Sequence, residues 1–302
     1  GEADIGKTAK SSISEHPTTA LYKLLSHTNR DMIFKVGFRR VPREMASNAE
    51  SFKDLLMAGP RFGLNCAIPA LHTMEILAKS PYDFFVIDAE HPATSVSIIH
   101  TQLMALAASG AASFIKLSSL DPSMVRRCLD LGVDGLMAAD INTAEDARQF
   151  VSRTRYPPRG IRGVAGAVRA TGYTRDRTYL ESAEQRLIRC VLIESTSGLD
   201  QLEAICATEG VDVVFFGPAD LAAQMGQPGR PGAPAVASAI EDGIKRASKA
   251  GRPVGIVSGE ADIDRYVALG VSMFVVGSEL TLFVQAVDGL ADRLRKKYRS
   301  AV

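Results

Sequence analysis

The sequence predicts a (β/α)8 barrel of the TIM type behind an N-terminal extension, on three observations. Eight short apolar runs recur between residues 61 and 276, helical patterns separate them, and glycines close several of those helices. Runs of this kind, nearly continuous in Val, Ile, Phe and Leu, read as strands buried on both faces of a parallel sheet. Eight strand–helix alternations over about 240 residues suit a closed barrel. A doubly wound sheet would need a phosphate loop after an early strand, and the chain has neither GxGxxG nor GxxxxGK[ST].

Taken in order, residues 1–50 mix Ser, Thr, His, Lys and Arg with short apolar pieces such as Ala20–Leu25, and include Glu2, Asp4, Glu15 and Asp31. This stretch reads as an extension with one helix, not as a signal peptide or an acid-poor transit sequence, and a start at Gly1 is compatible with trimming. The barrel is expected over residues 51–302. Its strands are expected at Arg61–Ile68, Asp83–Ala89, Ser113–Leu117, Gly135–Ala139, Arg189–Glu194, Val211–Gly217, Pro253–Val257 and Ser272–Val276. Ser123–Leu131, Thr143–Phe150, Gly198–Cys206 and Ala235–Ala250 carry helical periodicity. Gly110, Gly132, Gly210, Gly251 and Gly270 stand where helix C-caps belong. Ser152–Gln185 is the one long interruption, either a functional loop or a packing arm. The apolar set Leu280, Leu282, Phe283, Val284, Val287 and Leu290 marks a C-terminal helix, and Arg293–Arg299 its solvated basic end.

Composition narrows the function classes. Thirty-five basic residues against 34 acidic ones give a net charge of +1, so no global field points to nucleic acid or an anionic membrane. No apolar run approaches the roughly 20 residues that span a bilayer. Cys66, Cys128, Cys190 and Cys206 are far apart, with no CxxC pair. They read as buried thiols in a reducing compartment, the cytoplasm.

Active sites of barrels assemble at strand C-terminal ends, and here those ends are polar. Asp88, Glu90 and His91 follow the second run, Lys116 ends the third, Glu194 follows the fifth, and Gly217-Pro218-Ala219-Asp220 follows the sixth. Carboxylates after apolar strands are costly unless something cationic meets them. Glu194 and Asp220 can share one hard divalent cation and leave positions for water and substrate oxygens. The plainer reading makes Asp220 a helix start. His72 and His100 read as ordinary helix residues, Glu90 as a structural or interface contact, and Arg162 as a holder of the long loop or a contact to a neighbouring subunit.

Four motifs in this order carry a resemblance: Asp88-Ala89-Glu90-His91-Pro92, Tyr156-Pro157-Pro158-Arg159-Gly160-Ile161-Arg162-Gly163, Ile193-Glu194-Ser195 and Gly217-Pro218-Ala219-Asp220-Leu221. The chain from about Phe52 to Leu294 resembles the HpcH/HpaI aldolases, metal-dependent pyruvate aldolases. The resemblance implies a class II lyase that cleaves or forms a carbon–carbon bond between pyruvate or oxaloacetate and an aldehyde or ketone acceptor. It implies Glu194 and Asp220 as ligands of Mg2+, or of Mn2+ or Co2+. It implies His91 as general base acting through a water on the metal, and Asp130 as its partner, often across a subunit boundary. Asp88 would be an acid near the metal waters. Backbone N–H groups at Gly217, Ala219 and Asp220 would receive the substrate carboxylate; Pro218 has none to offer. Hexameric or dimer-based assembly with exchanged C-terminal helices is also implied.

Several positions depart from the family pattern. Lys116 stands for an Arg that contacts the keto oxygen, keeping the charge but losing the planar fork. Leu192 stands for Gln, Ala139 for Pro followed by an unusual Asp140, and Asn65 for an aromatic residue. Lys116 also raises a Schiff-base mechanism. Oxaloacetate decarboxylation and citrate-forming condensation on the same enolate stay open, as does a non-catalytic barrel acting as a binding or scaffold subunit.

Overall fold

Eight parallel strands close on themselves in the computed structural model, which describes residues 48–117 and 119–299. The strands are β1 Arg61–Cys66, β2 Phe84–Asp88, β3 Ala112–Leu117, β4 Gly135–Ala138, β5 Ile188–Ile193, β6 Val213–Phe216, β7 Val254–Val257 and β8 Val271–Ser278. Each pairs with its sequence neighbours, and β8 returns to β1. The expected barrel is therefore present. The expected extension lies outside the described residues, except that Asn48–Glu50 already belong to helix α1, Asn48–Ala58.

The helices that follow are α2 Leu71–Leu77, α3 Val96–Leu106, α4 Pro122–Asp130, α5 Ala144–Thr154, α6 Tyr179–Ser182, α7 Thr196–Asp200, α8 Leu202–Cys206, α9 Pro218–Gln224, α10 Pro234–Lys249, α11 Ile263–Ala268 and α12 Glu279–Tyr298. Local signals explain several starts. Asp121 caps α4 ahead of Pro122, and Thr143 with Asp146 forms a capping box on α5. Gly132 and Gly210 end their helical segments in the left-handed conformation that glycine adopts without strain.

Strand periodicity sorts the core into two layers. Phe84, Val86, Ala112, Phe114, Met137, Cys190, Leu192, Phe215, Met273 and Val275 form one buried cluster inside the barrel. Their neighbours of opposite parity, such as Phe85, Ile87, Ile115, Val191 and Phe216, pack in a second cluster with the helices. Interior rings need small partners. A Cβ on Gly63, Gly135 or Gly255 would stand 2.2–2.5 Å from the ring of Phe84, Phe114 or Phe215, so large and small residues alternate across adjacent strands. Helix α1 sends Phe52 into this cluster, edge-to-face with Phe84 and Phe114 at 5.6 and 5.5 Å.

The long interruption joins the end of α5 to the start of β5, so it runs on the N-terminal side of the barrel. It is a packing arm there, away from the strand C-terminal ends. Arg162 is its anchor: buried, it pairs with Asp130 at 3.0 Å and lies over the Tyr156 ring at 4.5 Å. The C-terminal helix meets its own barrel at its start and leaves its apolar row exposed. Glu279 is its only buried residue among those described, while Phe283 is 63% and Leu290 53% exposed. Among the described residues no helix is long and apolar enough to cross a membrane, and all four cysteines are buried free thiols.

Candidate active site

The same period of two that fills the barrel carries its inward row to the C-terminal mouth. Asp88 follows Phe84 and Val86, Lys116 follows Ala112 and Phe114, Glu194 follows Cys190 and Leu192, and Gly217 follows Val213 and Phe215. Asp88 and Lys116 are register partners across β2 and β3. They open into one cavity of about 520 Å³, whose lining includes Asn65, Asp88, His91, Lys116, Glu194, Gly217, Ala219 and Asp220. Val86, Met137, Leu192, Phe215 and Val275 make its apolar floor, and Ser258, Asp262, Arg265, Tyr266 and Thr281 its opposite wall.

Glu194 is buried, and one of its oxygens, Oε1, accepts the Asp140 N–H at 2.9 Å. Burial pushes its carboxyl above the usual carboxylate range. The Asp140 N–H and the Lys116 charge oppose that shift, and the charges of Asp220 and Glu90 add to it. Asp220 is exposed in the first turn of α9. A buried carboxylate beside a second one is a hard-oxygen set that a divalent cation would neutralise, with room left for water and substrate oxygens. Among the described residues no group of three His, Cys, Asp or Glu side chains forms a closed metal cage.

Lys116 is the cation nearest the carboxylates of the strand-end row. Its ammonium contacts Glu90 Oε2 and lies 3.4 Å from His91 Nε2, which is itself 3.3 Å from Glu90 Oε2. Burial lowers the Lys116 pKa, but the Glu90 contact and the charges of Glu194 and Asp88 outweigh it, and the net shift is upward. Asp88 is buried as an organiser of this turn. Its Oδ1 accepts the N–H groups of Glu90 at 2.9 Å and His91 at 3.2 Å, and its Oδ2 accepts Asn65 Nδ2 at 3.3 Å.

Seven of the sequence-expected site residues thus share one cavity. The eighth, Asp130, ends α4 on the N-terminal side of the barrel and pairs with Arg162 of its own chain; the expected pairing with His91 is one between subunits. One expectation is corrected. Gly217 does not offer a donor, because its N–H goes to the Ile193 carbonyl at 3.1 Å. It offers space instead, since a Cβ there would stand 2.8 Å from Glu194 Oε2. The N–H groups of Ala219 and Asp220 remain in the first turn of α9, where no helical carbonyl reaches them. Glu90, expected as a structural or interface contact, bridges Lys116 and His91, and Asn65, expected only as a departure from the family pattern, holds Asp88. Their place in the strand-end row was the available signal.

Comparison with known proteins shows the family. The profile of the HpcH/HpaI aldolase/citrate lyase family matches residues 61–286. A pyruvate aldolase of Rhizobium etli is 40% identical over 244 residues, covering 80% of this chain and 96% of that protein. A 5-keto-4-deoxy-D-glucarate aldolase of Klebsiella pneumoniae is 39% identical over 237 residues, covering 78% of this chain and 93% of that protein. The solved structure of an HpcH/HpaI aldolase/citrate lyase family protein from Burkholderia cenocepacia superposes with a TM-score of 0.78 at 34% identity. That match covers 82% of this chain and 99% of the other.

Proposed function

The chain belongs to the HpcH/HpaI aldolase/citrate lyase family and is an aldolase-type lyase; from that premise we propose that it acts through the enolate of a pyruvate-type 2-oxo acid, with a divalent cation held by Glu194 and Asp220. The carrying observation is the single cavity in which these two carboxylates face Lys116, His91 and Asp88. Bound there, Mg2+, Mn2+ or Co2+ would act as a Lewis acid on the substrate carbonyl. The reaction runs in the retro-aldol direction, releasing pyruvate and an aldehyde.

The residues divide the remaining work. The N–H groups of Ala219 and Asp220 bind the substrate carboxylate at the positive end of α9. Lys116 places a full positive charge where the enolate oxygen develops. Its upward-shifted pKa supports the electrostatic role over a Schiff base, which needs a neutral amine. His91, whose Nε2 lies 3.4 Å from the Lys116 ammonium at the cavity wall, moves the proton. Asp88 holds the His91 backbone in place through its N–H. The apolar floor, in which Leu192 stands for the family's Gln, excludes water beneath the reacting carbons.

Assembly completes the reading. A row of exposed apolar residues along α12, with Leu282, Phe283, Val287 and Leu290 all near half exposed or more, supports docking of this helix on a second copy. Asp130 would then meet His91 only between subunits. A cytoplasmic enzyme is consistent with the free thiols.

The test is deuterium exchange at the pyruvate methyl group, followed by NMR with Mg2+, Mn2+ or Co2+ and again with EDTA. Cation-dependent exchange that His91→Ala abolishes is expected. Exchange unaffected by EDTA would remove the cation from the reading. No exchange with any cation would favour a different 2-oxo acid or a non-catalytic barrel.

A further inference from the structure

The carboxylate of Glu194 is held by a strap from the neighbouring strand end, and the strap has an unusual backbone. Asp140, just past β4, adopts φ = 55°, the left-handed region that few residues other than glycine enter, Asp and Asn most readily. This conformation turns its N–H to Glu194 Oε1 at 2.9 Å. Its carbonyl accepts Asn142 Nδ2 at 3.1 Å. The other end of that amide, Asn142 Oδ1, accepts the hydroxyls of Ser195, which follows Glu194 in the chain, and of Ser197 at 3.0 Å. The Asn142 N–H in turn rests on Asp146 Oδ2 of the α5 capping box at 3.2 Å. One closed ring thus runs from Glu194 through Asp140 and Asn142 to Ser195, tied to the start of a helix.

We propose that Asn142 and the left-handed Asp140 peptide are positioning residues that aim Glu194 at the cation. Oε1 is occupied by the strap, and Gly217 clears the side of Oε2, where a Cβ would come within 2.8 Å. One oxygen is therefore held by the strap, while the absence of a Cβ at Gly217 leaves the other uncrowded. Backbone strain recurs at sites where geometry matters more than local stability. Groups that orient a ligand typically change metal affinity by about 10- to 100-fold when lost. The inference rests on the reading of Glu194 as a cation ligand.

Mn2+ titration followed by the electron paramagnetic resonance of the free ion tests it on the full chain, beside thermal unfolding of each variant. Glu194→Gln is expected to weaken Mn2+ binding at least tenfold. Asn142→Ala is expected to weaken it on the order of tenfold. Asp140→Gly keeps the N–H and adopts positive φ freely, so its Kd should stay within about twofold of the parent. Asp140→Val resists that φ and should lose about tenfold. Asp140 is exposed, so this pair carries the test even if Asn142→Ala fails to fold. Unchanged affinity in Glu194→Gln would overturn the cation reading and this inference together. Lost affinity in Glu194→Gln, with Asn142→Ala and Asp140→Val both unchanged, would overturn the strap alone. So would equal losses in Asp140→Gly and Asp140→Val.

Discussion

Lys116→Met removes the ammonium beside Glu90 and His91 and keeps a side chain of similar length. The ammonium sits against Glu90 Oε2 and 3.4 Å from His91 Nε2, with the charges of Glu194 and Asp88 also acting on it. Removing one partner of a fully buried ion pair costs about 3–5 kcal/mol. Here the Lys116 side chain is 15% and Glu90 22% exposed, so water screens part of that and about 2 kcal/mol of stability is expected to be lost. The effect on chemistry should be larger. Loss of a single stabilising group for a developing oxyanion typically costs about 10²- to 10³-fold in rate, and that loss is expected in cation-dependent exchange at the pyruvate methyl. Lys116→Arg keeps the charge and should retain the rate within about tenfold. The assay is the NMR exchange rate at saturating Mn2+, with thermal unfolding to show that each variant is folded. A folded Lys116→Met exchanging within threefold of the parent would refute the assignment of Lys116 to the enolate. Covalent trapping of pyruvate by borohydride would refute the electrostatic role in favour of an imine.

Three further outcomes are expected. Burial raises the Glu194 pKa, so the native state holds that proton more tightly than the unfolded chain does. Its contribution to stability therefore falls as pH rises from the unfolded-state value through the raised native one. Glu194→Gln should consequently melt above the parent at pH 7 in EDTA while losing exchange; a lower melting temperature would contradict the burial argument. Gly217→Ala puts a methyl 2.8 Å from Glu194 Oε2 and 3.1 Å from its Cβ, so about 1–3 kcal/mol of stability and at least tenfold in exchange should go, by thermal unfolding and NMR. Phe283→Asp with Leu290→Asp on the exposed row of α12 should reduce the mass measured by light scattering without changing the circular dichroism. A single-chain mass for the parent would contradict helix docking between copies.

Much of the barrel could be read from local pattern, because a strand buried on both faces must be apolar along its length and a helix end must be capped nearby. The inward row was legible for the same reason. Asp88, Lys116 and Glu194 each stand two residues beyond an interior side chain of their own strand, so the alternation that fills the core also delivers them to the mouth. The family motifs then pointed to the roles of Glu194, Asp220 and His91.

Closure of the barrel decided what local pattern could not. Glu90 meets Lys116 across two strands, the Asp140 N–H meets a carboxylate 54 residues away, and Asn142 meets Ser195 at a separation of 53. None of these contacts has a period or a cap to announce it, since each depends on which strands become neighbours and in what register. The long interruption was ambiguous for a related reason: composition marks a loop, but only its place between a helix end and a strand start assigns it to the N-terminal side. There it pairs Arg162 with Asp130, on the side away from His91. The sequence by itself determined the barrel and the polar row at its mouth, because both follow from short-range periodicity. The tertiary structure alone decided which groups hold that row in place, because hydrogen bonds and ion pairs between distant segments exist only after the sheet has closed.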